Sequence, residues 1–153
     1  FIHLMTNKHC WLNPLLTGLE NYISFSYLPI TKSGVCSIDE NLSFPLTNTR
    51  FPLYVVSSAT VSGTNYSDYT TYSYKNPRIH KQGKGFLGFG EITAKNNSTA
   101  INTVTKYGYD NTHYYPCVIE QKSETKTGVA IQTTANEYAT VLGNGKIFLS
   151  LYP

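Results

Sequence analysis

Apolar and polar positions alternate with a period of two along most of the chain. Ile23, Phe25 and Tyr27 are separated by Ser24 and Ser26, the pattern of a strand with one buried face, and Pro29 ends that run. Strand-sized runs recur at 51–56, 68–75, 91–94, 101–109, 117–122, 129–133, 136–142 and 146–152. Pro52 confines the first of these to an edge or to its own first turn. Turn chemistry separates the runs: Gly63 to Asn65, Asn76-Pro77, Asn96-Asn97-Ser98, Thr127-Gly128 and Gly143-Asn144-Gly145. The stretch 31–48 carries Gly34, Asp39, Asn41 and Pro45, and is expected to be a long connection with at most a short strand at 35–38. No segment sustains apolar residues at i, i+3, i+4 and i+7. The expected fold is all-β, an antiparallel meander of β-hairpins in one or two twisted open sheets.

One stretch breaks the alternation. Gly83-Lys84-Gly85-Phe86-Leu87-Gly88-Phe89-Gly90 sets four glycines among three large apolar residues. Glycine at that density means tight turning, positive φ or close approach of another segment. The expectation is a tight crossing between two strands, with Phe86 and Phe89 buried and at least one glycine at positive φ. The spacing is not G-x-x-x-x-G-K-[ST] and no helix is predicted behind it, so a phosphate loop is disfavoured.

Residues 1–17 form a lead-in segment expected to pack through Trp11 and Leu15 or Leu16, and 18–153 form a single β domain. Only 14% of residues are charged, and 13 tyrosines, with Thr, Ser and Asn, make up the difference. That composition suits pleated, half-buried surfaces and leaves sheet edges poorly protected, so self-association through those edges is expected. The net charge of +3 is mild. Its densest basic run, from Lys75 to Lys84, is interrupted by Pro77 and by glycine, which does not make a nucleic-acid groove. Cys10, Cys36 and Cys117 form no C-x-x-C pair and are read as small buried hydrophobes, although one disulfide with a spare thiol stays open. His3 and His9 lie near Cys10 without a fourth ligand, so neither a metal nor a cofactor is expected. No apolar run is long enough to insert into a membrane as a helix. The opening Phe1-Ile2-His3 reads as the start of a piece of something longer.

A weak internal repeat is present. Ser24-Phe25-Ser26-Tyr27, Thr71-Tyr72-Ser73-Tyr74 and Lys106-Tyr107-Gly108-Tyr109 each place two aromatic residues two apart, and Asn136 to Thr140 is a fainter copy. Hairpins that cannot bury an aromatic face alone stack on their neighbours.

These same residues carry a family resemblance. The succession Tyr72, Tyr74, then Gly83, Gly85, Phe86, Leu87, Gly88 and Phe89 resembles the Y-x-Y…GRGFLGF segment of Rhs/YD-repeat proteins, including the B components of insecticidal toxin complexes. Upstream, 15–31 resembles an LLT…GLG…Y-x-PLT block and 51–57 a P-x-YVVS block; Tyr107, Tyr109 and Asp110 end in the YD dipeptide itself. Lys84 stands where Arg is common and Glu20 where Gly is expected. The resemblance spans about 14–140. It implies a bacterial protein, secreted or at the cell surface, in which β-hairpins spiral into a shell around a C-terminal toxin. This chain would then be one fragment of the shell, with flanking repeat segments and the enclosed toxin as its partners. The aspartates of the family's self-cleavage lie in a segment that has no match here, so no catalytic residue carries over.

The resulting expectation is a non-catalytic structural segment. The alternative is a carbohydrate- or surface-binding β domain that presents tyrosines to sugar rings. Catalysis is disfavoured, because the few carboxylates are scattered and no G-x-S-x-G motif occurs. Asp110 beside His113 is the nearest polar pair and is read as a turn contact.

Overall fold

The structure, a computed structural model, describes residues 22–110, 112–143 and 146–151. The expectations for Trp11, Leu15, Leu16, Cys10, His3 and His9 lie outside them. The described chain is all β, with no helix. In order its strands are β1 (Tyr22–Pro29), β2 (Cys36–Ser37), β3 (Leu46–Asn48), β4 (Tyr54–Gly63), β5 (Tyr66–His80), β6 (Gly85–Asn96), β7 (Ile101–Tyr109), β8 (Pro116–Thr125), β9 (Ala130–Ala135), β10 (Tyr138–Gly143) and β11 (Lys146–Leu151). One open sheet runs β1-β4-β5-β6-β7-β8-β9, every neighbour antiparallel, and β10 and β11 form a separate hairpin.

β5 is the long member, and its first half pairs with β4 from Ser58↔Thr71 to Gly63↔Tyr66. β4 then follows β1 away from it, as far as Pro29↔Tyr54. The connection 30–53 enters the gap this leaves. β2 pairs there in parallel with Tyr74 and Lys75, and β3 pairs antiparallel with Arg78 to His80. The core sits at this fork. Ile30, Val35, Val55 and Tyr74 are buried, with Leu28, Cys36, Leu53, Tyr72, Phe89 and Ile92 packed around them. Tyr74 is held twice: its ring lies 4.6 Å from that of Phe89, and its hydroxyl donates to the Val56 carbonyl at 2.7 Å. Burial pushes its phenol pKa up to about 12.

Several expected boundaries move. The run at 51–56 does not stop before 61 but continues as β4 to Gly63. The Asn76-Pro77 break falls inside β5 rather than ending it. Asn76 takes φ 53 and absorbs the bend, while Pro77 still pairs with Phe89 and its carbonyl accepts from the Thr49 N–H. The short strand expected at 91–94 is the second half of the twelve-residue β6. Of the connection 31–48, the segment near 35–38 supplies β2, while β3 carries no sequence signal of its own. The glycine-rich stretch is a turn plus the start of β6 rather than a crossing. Gly83, Gly85 and Gly88 have positive φ, and the register shifts between Arg78 and Ile79 so that Leu87 has no partner across the pair. Phe89 packs on the core, but Phe86 is 37% exposed, contrary to the expectation of burial. The extra residue at the bulge turns Phe86 to the margin, where it meets Phe51 and Phe89 edge to face at 5.4 and 5.5 Å.

Register separates two chemical faces, because antiparallel partners share a face. One carries Phe25, Ala59 and Thr70 in succession, then Tyr72 with Ala94 and Tyr74 with Ile92. The other carries Ser73, Thr93 and Val104, and with them every lysine and glutamate of β5–β8. Among the described residues the first face is covered by the 30–53 connection only near Tyr74, and Ile23, Tyr27, Tyr66 and Ile101 are exposed.

Tyr74→Phe keeps the ring contact and leaves the Val56 carbonyl without its donor, and should cost about 1 kcal/mol. Tyr74→Ala empties the fork and should cost about 3–5 kcal/mol. Urea denaturation of both variants, compared at equal m-value, checks the ordering.

Candidate functional site

The sequence-marked residues fall in three groups along the chain. Tyr72 and Tyr74 lie in β5 at the core. Gly83 lies in the β5–β6 turn, while Gly85, Phe86, Leu87, Gly88 and Phe89 open β6. Tyr107 and Tyr109 close β7, and Asp110 follows them. The fold brings the second and third groups together. The Tyr109 hydroxyl donates to the Leu87 carbonyl at 3.4 Å. Lys84 Nζ donates to the His113 carbonyl and lies 5.6 Å from the Tyr114 ring centre, and Tyr114 meets the buried His80 ring edge-on at 4.5 Å. The glycine-rich turn and the loop after the YD dipeptide therefore dock on each other.

Asp110 organises that loop. Its carboxylate accepts from the N–H groups of Thr112, His113 and Tyr115, at 3.2, 2.6 and 2.7 Å, and lies 3.1 Å from His113 Nδ1. Desolvation pushes its pKa upward, but the N–H donors of Tyr115 and His113 together hold it below the usual carboxylate range. The role is that of an Asx turn, which suits a short carboxylate at the end of a strand.

Arg78 is the joint between the parts. Its side chain is 11% exposed. Nη2 meets the Glu40 carboxylate at 2.6 Å, Nη1 donates to the Tyr107 carbonyl at 3.2 Å, and the guanidinium carbon lies 5.2 Å from the Tyr109 ring centre. Burial opposes its charge, while Glu40 and Tyr109 favour it, and the net shift is upward. Gly90 leaves the room: a Cβ there would fall 2.8 Å from Nη2 and 3.1 Å from the Asn76 Cβ. Asn76, also buried, exchanges two hydrogen bonds with Asp39, accepting from its N–H at 3.0 Å and donating to its carboxylate at 2.6 Å. Arg78 and Asn76 thus pin the 30–53 connection to the sheet by side chains, where its strands are only two and three residues long.

On the polar face a ladder of alternating charge crosses four strands. Lys75 pairs with Glu91, Glu91 with Lys106, and Lys106 with Glu120. Lys75 Nζ is 3.0 Å from Glu91 and 3.5 Å from Asp39, and Lys106 Nζ is 2.8 Å from Glu120. Lys75, Asp39 and Glu91 are the three groups that a lysine–aspartate amide bond would require. That chemistry needs a neutral amine and a protonated acid. Here the hydrogen bond that Lys75 donates to Glu91 raises the Lys75 pKa, the Asn76 amide lowers that of Asp39, and both side chains are open to water. The arrangement is an ion-pair network. A shallow groove of about 460 Å³ on this face is lined by the same kinds of group, among them Ser73, Thr93, Lys95, Asn102 and Glu124.

Burial raises the thiol pKa of both Cys36 and Cys117, each unpaired, so neither is an activated nucleophile. Among the described residues no three His, Cys, Asp or Glu side chains converge to hold a metal. No described helix is long and apolar enough to cross a membrane. No protein-family model, curated protein or solved structure matches the chain.

Asp110 gives a pH prediction whose sign follows from its lowered pKa. Its contribution to stability is fully present above the unfolded carboxyl value, near pH 4, and is lost as pH falls through the folded value. Asp110→Asn should therefore lower stability at pH 7 by about 1 kcal/mol and flatten the acid limb of the stability curve. Denaturation midpoints measured from pH 7 down to pH 2 check both.

Proposed function

We propose that this chain is a non-catalytic structural segment of an Rhs/YD-repeat-like shell, a run of hairpins forming part of a wall that encloses a C-terminal toxin. On this reading the parent protein is bacterial and is secreted or displayed at the cell surface. The flanking repeats of the same polypeptide lie against the apolar face of this sheet. The observation that supports the reading best is the thinness of the core. Among the described residues the buried apolar cluster at the fork is Ile30, Val35, Val55 and Tyr74, while Ile23, Tyr27, Tyr66 and Ile101 are exposed on one side of the open sheet. A layer with one apolar side that the described residues leave largely open suits a wall with neighbours better than a free-standing enzyme. The paired-aromatic stretches Phe25/Tyr27, Tyr72/Tyr74 and Tyr107/Tyr109 support it too, since they recur on β1, β5 and β7.

A sugar-binding reading loses its best residues. Tyr74 is buried, Tyr72 packs beside it, and Tyr109 lies under the Arg78 guanidinium.

The test is neighbour dependence. The chain would be produced alone and as part of its native polypeptide with the adjoining hairpins, and amide exchange followed for Ile23, Val61 and Ile101. Protection of these amides should rise at least tenfold in the longer polypeptide. Equal protection in both forms would show a self-sufficient domain and overturn the wall reading.

A further inference from the structure

We propose that β9 is a self-recognition edge: it pairs antiparallel with β9 of a second copy about a two-fold axis. Its six residues, Ala130-Ile131-Gln132-Thr133-Thr134-Ala135, contain no charge and no proline, and every one is exposed. Native sheets usually block such an edge with lysine, proline or a covering segment. Among the described residues nothing covers this one. β9 ends the sheet path, and β10, which begins after only Asn136 and Glu137, pairs with β11 instead.

The backbone groups available to a partner can be identified. The Asn136 N–H donates to the Ile119 carbonyl at 2.9 Å, which makes Ile119 and Asn136 a hydrogen-bonded pair. Antiparallel ladders alternate, so the partners Gln121↔Thr134 are also hydrogen-bonded, while Glu120↔Ala135 and Lys122↔Thr133 are not. Thr133 and Ala135 therefore direct both N–H and C=O away from β8. These four groups form a template for one more strand.

Strand direction identifies the symmetry. Seven strands alternate along the path from β1 to β9, so the two edge strands run the same way. A translated copy joining its β1 to this β9 would make a parallel pair. An antiparallel ladder between identical edges requires a two-fold axis, which also closes the assembly at two copies. Two-fold pairing sets every residue of the strand against a residue from the same strand, and a charged β9 would oppose like charges. This one opposes only Ala, Ile, Gln and Thr. Val129 and Ile131, 63% and 58% exposed, flank the joint and lose water as it forms. The inference needs only the free edge and does not rest on the wall reading.

Light scattering and sedimentation of the 153-residue chain over a concentration series test it. The mass should rise from one chain to two and then stop, and the Thr133 and Ala135 amides should gain exchange protection in parallel. Thr133→Pro removes one outward N–H without touching the bonds to β8. It should shift the monomer–dimer midpoint at least tenfold in concentration, with an unchanged far-ultraviolet dichroism spectrum. Should that variant unfold, Thr133→Lys, which brings like charges to the joint, replaces it with the same expectation. A chain that stays monomeric throughout, a mass that grows beyond two copies, or a dimer whose Thr133 and Ala135 amides stay unprotected would each overturn the proposal.

Discussion

The whole arrangement depends on how one edge of β5 is shared. A fifteen-residue strand offers more backbone donors and acceptors than the ten-residue β4 can satisfy, and β4 leaves it after Thr71. Unpaired backbone groups beside a core are expensive, so something must complete the edge. The 30–53 connection does so with β2 and β3, and in the process delivers Ile30 and Val35 against Tyr74 and Val55. Core and connection are therefore one event. A loop free of this duty would have no reason to bury its apolar residues on the sheet.

Two strands of two and three residues are weak holders on their own. Side chains reinforce them from the sheet side: Asn76 grips Asp39, and Arg78 grips Glu40. Arg78 also reaches Tyr107 and Tyr109 on β7, so the same guanidinium ties the connection to the far side of the β6 bulge. The left-handed conformation of Asn76 and the missing side chain at Gly90 make room for this traffic. The Asp110 turn and the β5–β6 turn then close on each other at the end of the sheet. The glycine-rich stretch and the Tyr109-Asp110 pair are thus residues that make hairpin ends fit together.

Much of the fold is legible in the sequence because a period of two is unambiguous when small polar residues separate aromatic ones. Ile23, Phe25 and Tyr27 announce β1, and Gly63 to Asn65 announces the turn between β4 and β5, though not the full length of β4. The alternation also places every lysine and glutamate of β5–β8 on one face once pairing is known. The candidate site was legible in a narrower way. Asp110 and the positive-φ glycines follow from local chemistry. The contacts of Arg78, Glu40 and Asn76 do not, since their partners lie 37 and 38 residues away and nothing local identifies those partners.

By itself the sequence determined the strand class, the hairpin ends, the glycine positions and the uncharged character of β9, all of which depend on residues close together in the chain. Only the tertiary structure decided that Asn76-Pro77 bends a strand without ending it, that Phe86 sits at the margin while Phe89 packs on the core, and that β9 is left as an edge. Each of these depends on which strand lies alongside. Partner and register are settled by hydrogen bonds and burial between distant segments, and local propensity carries no information about them.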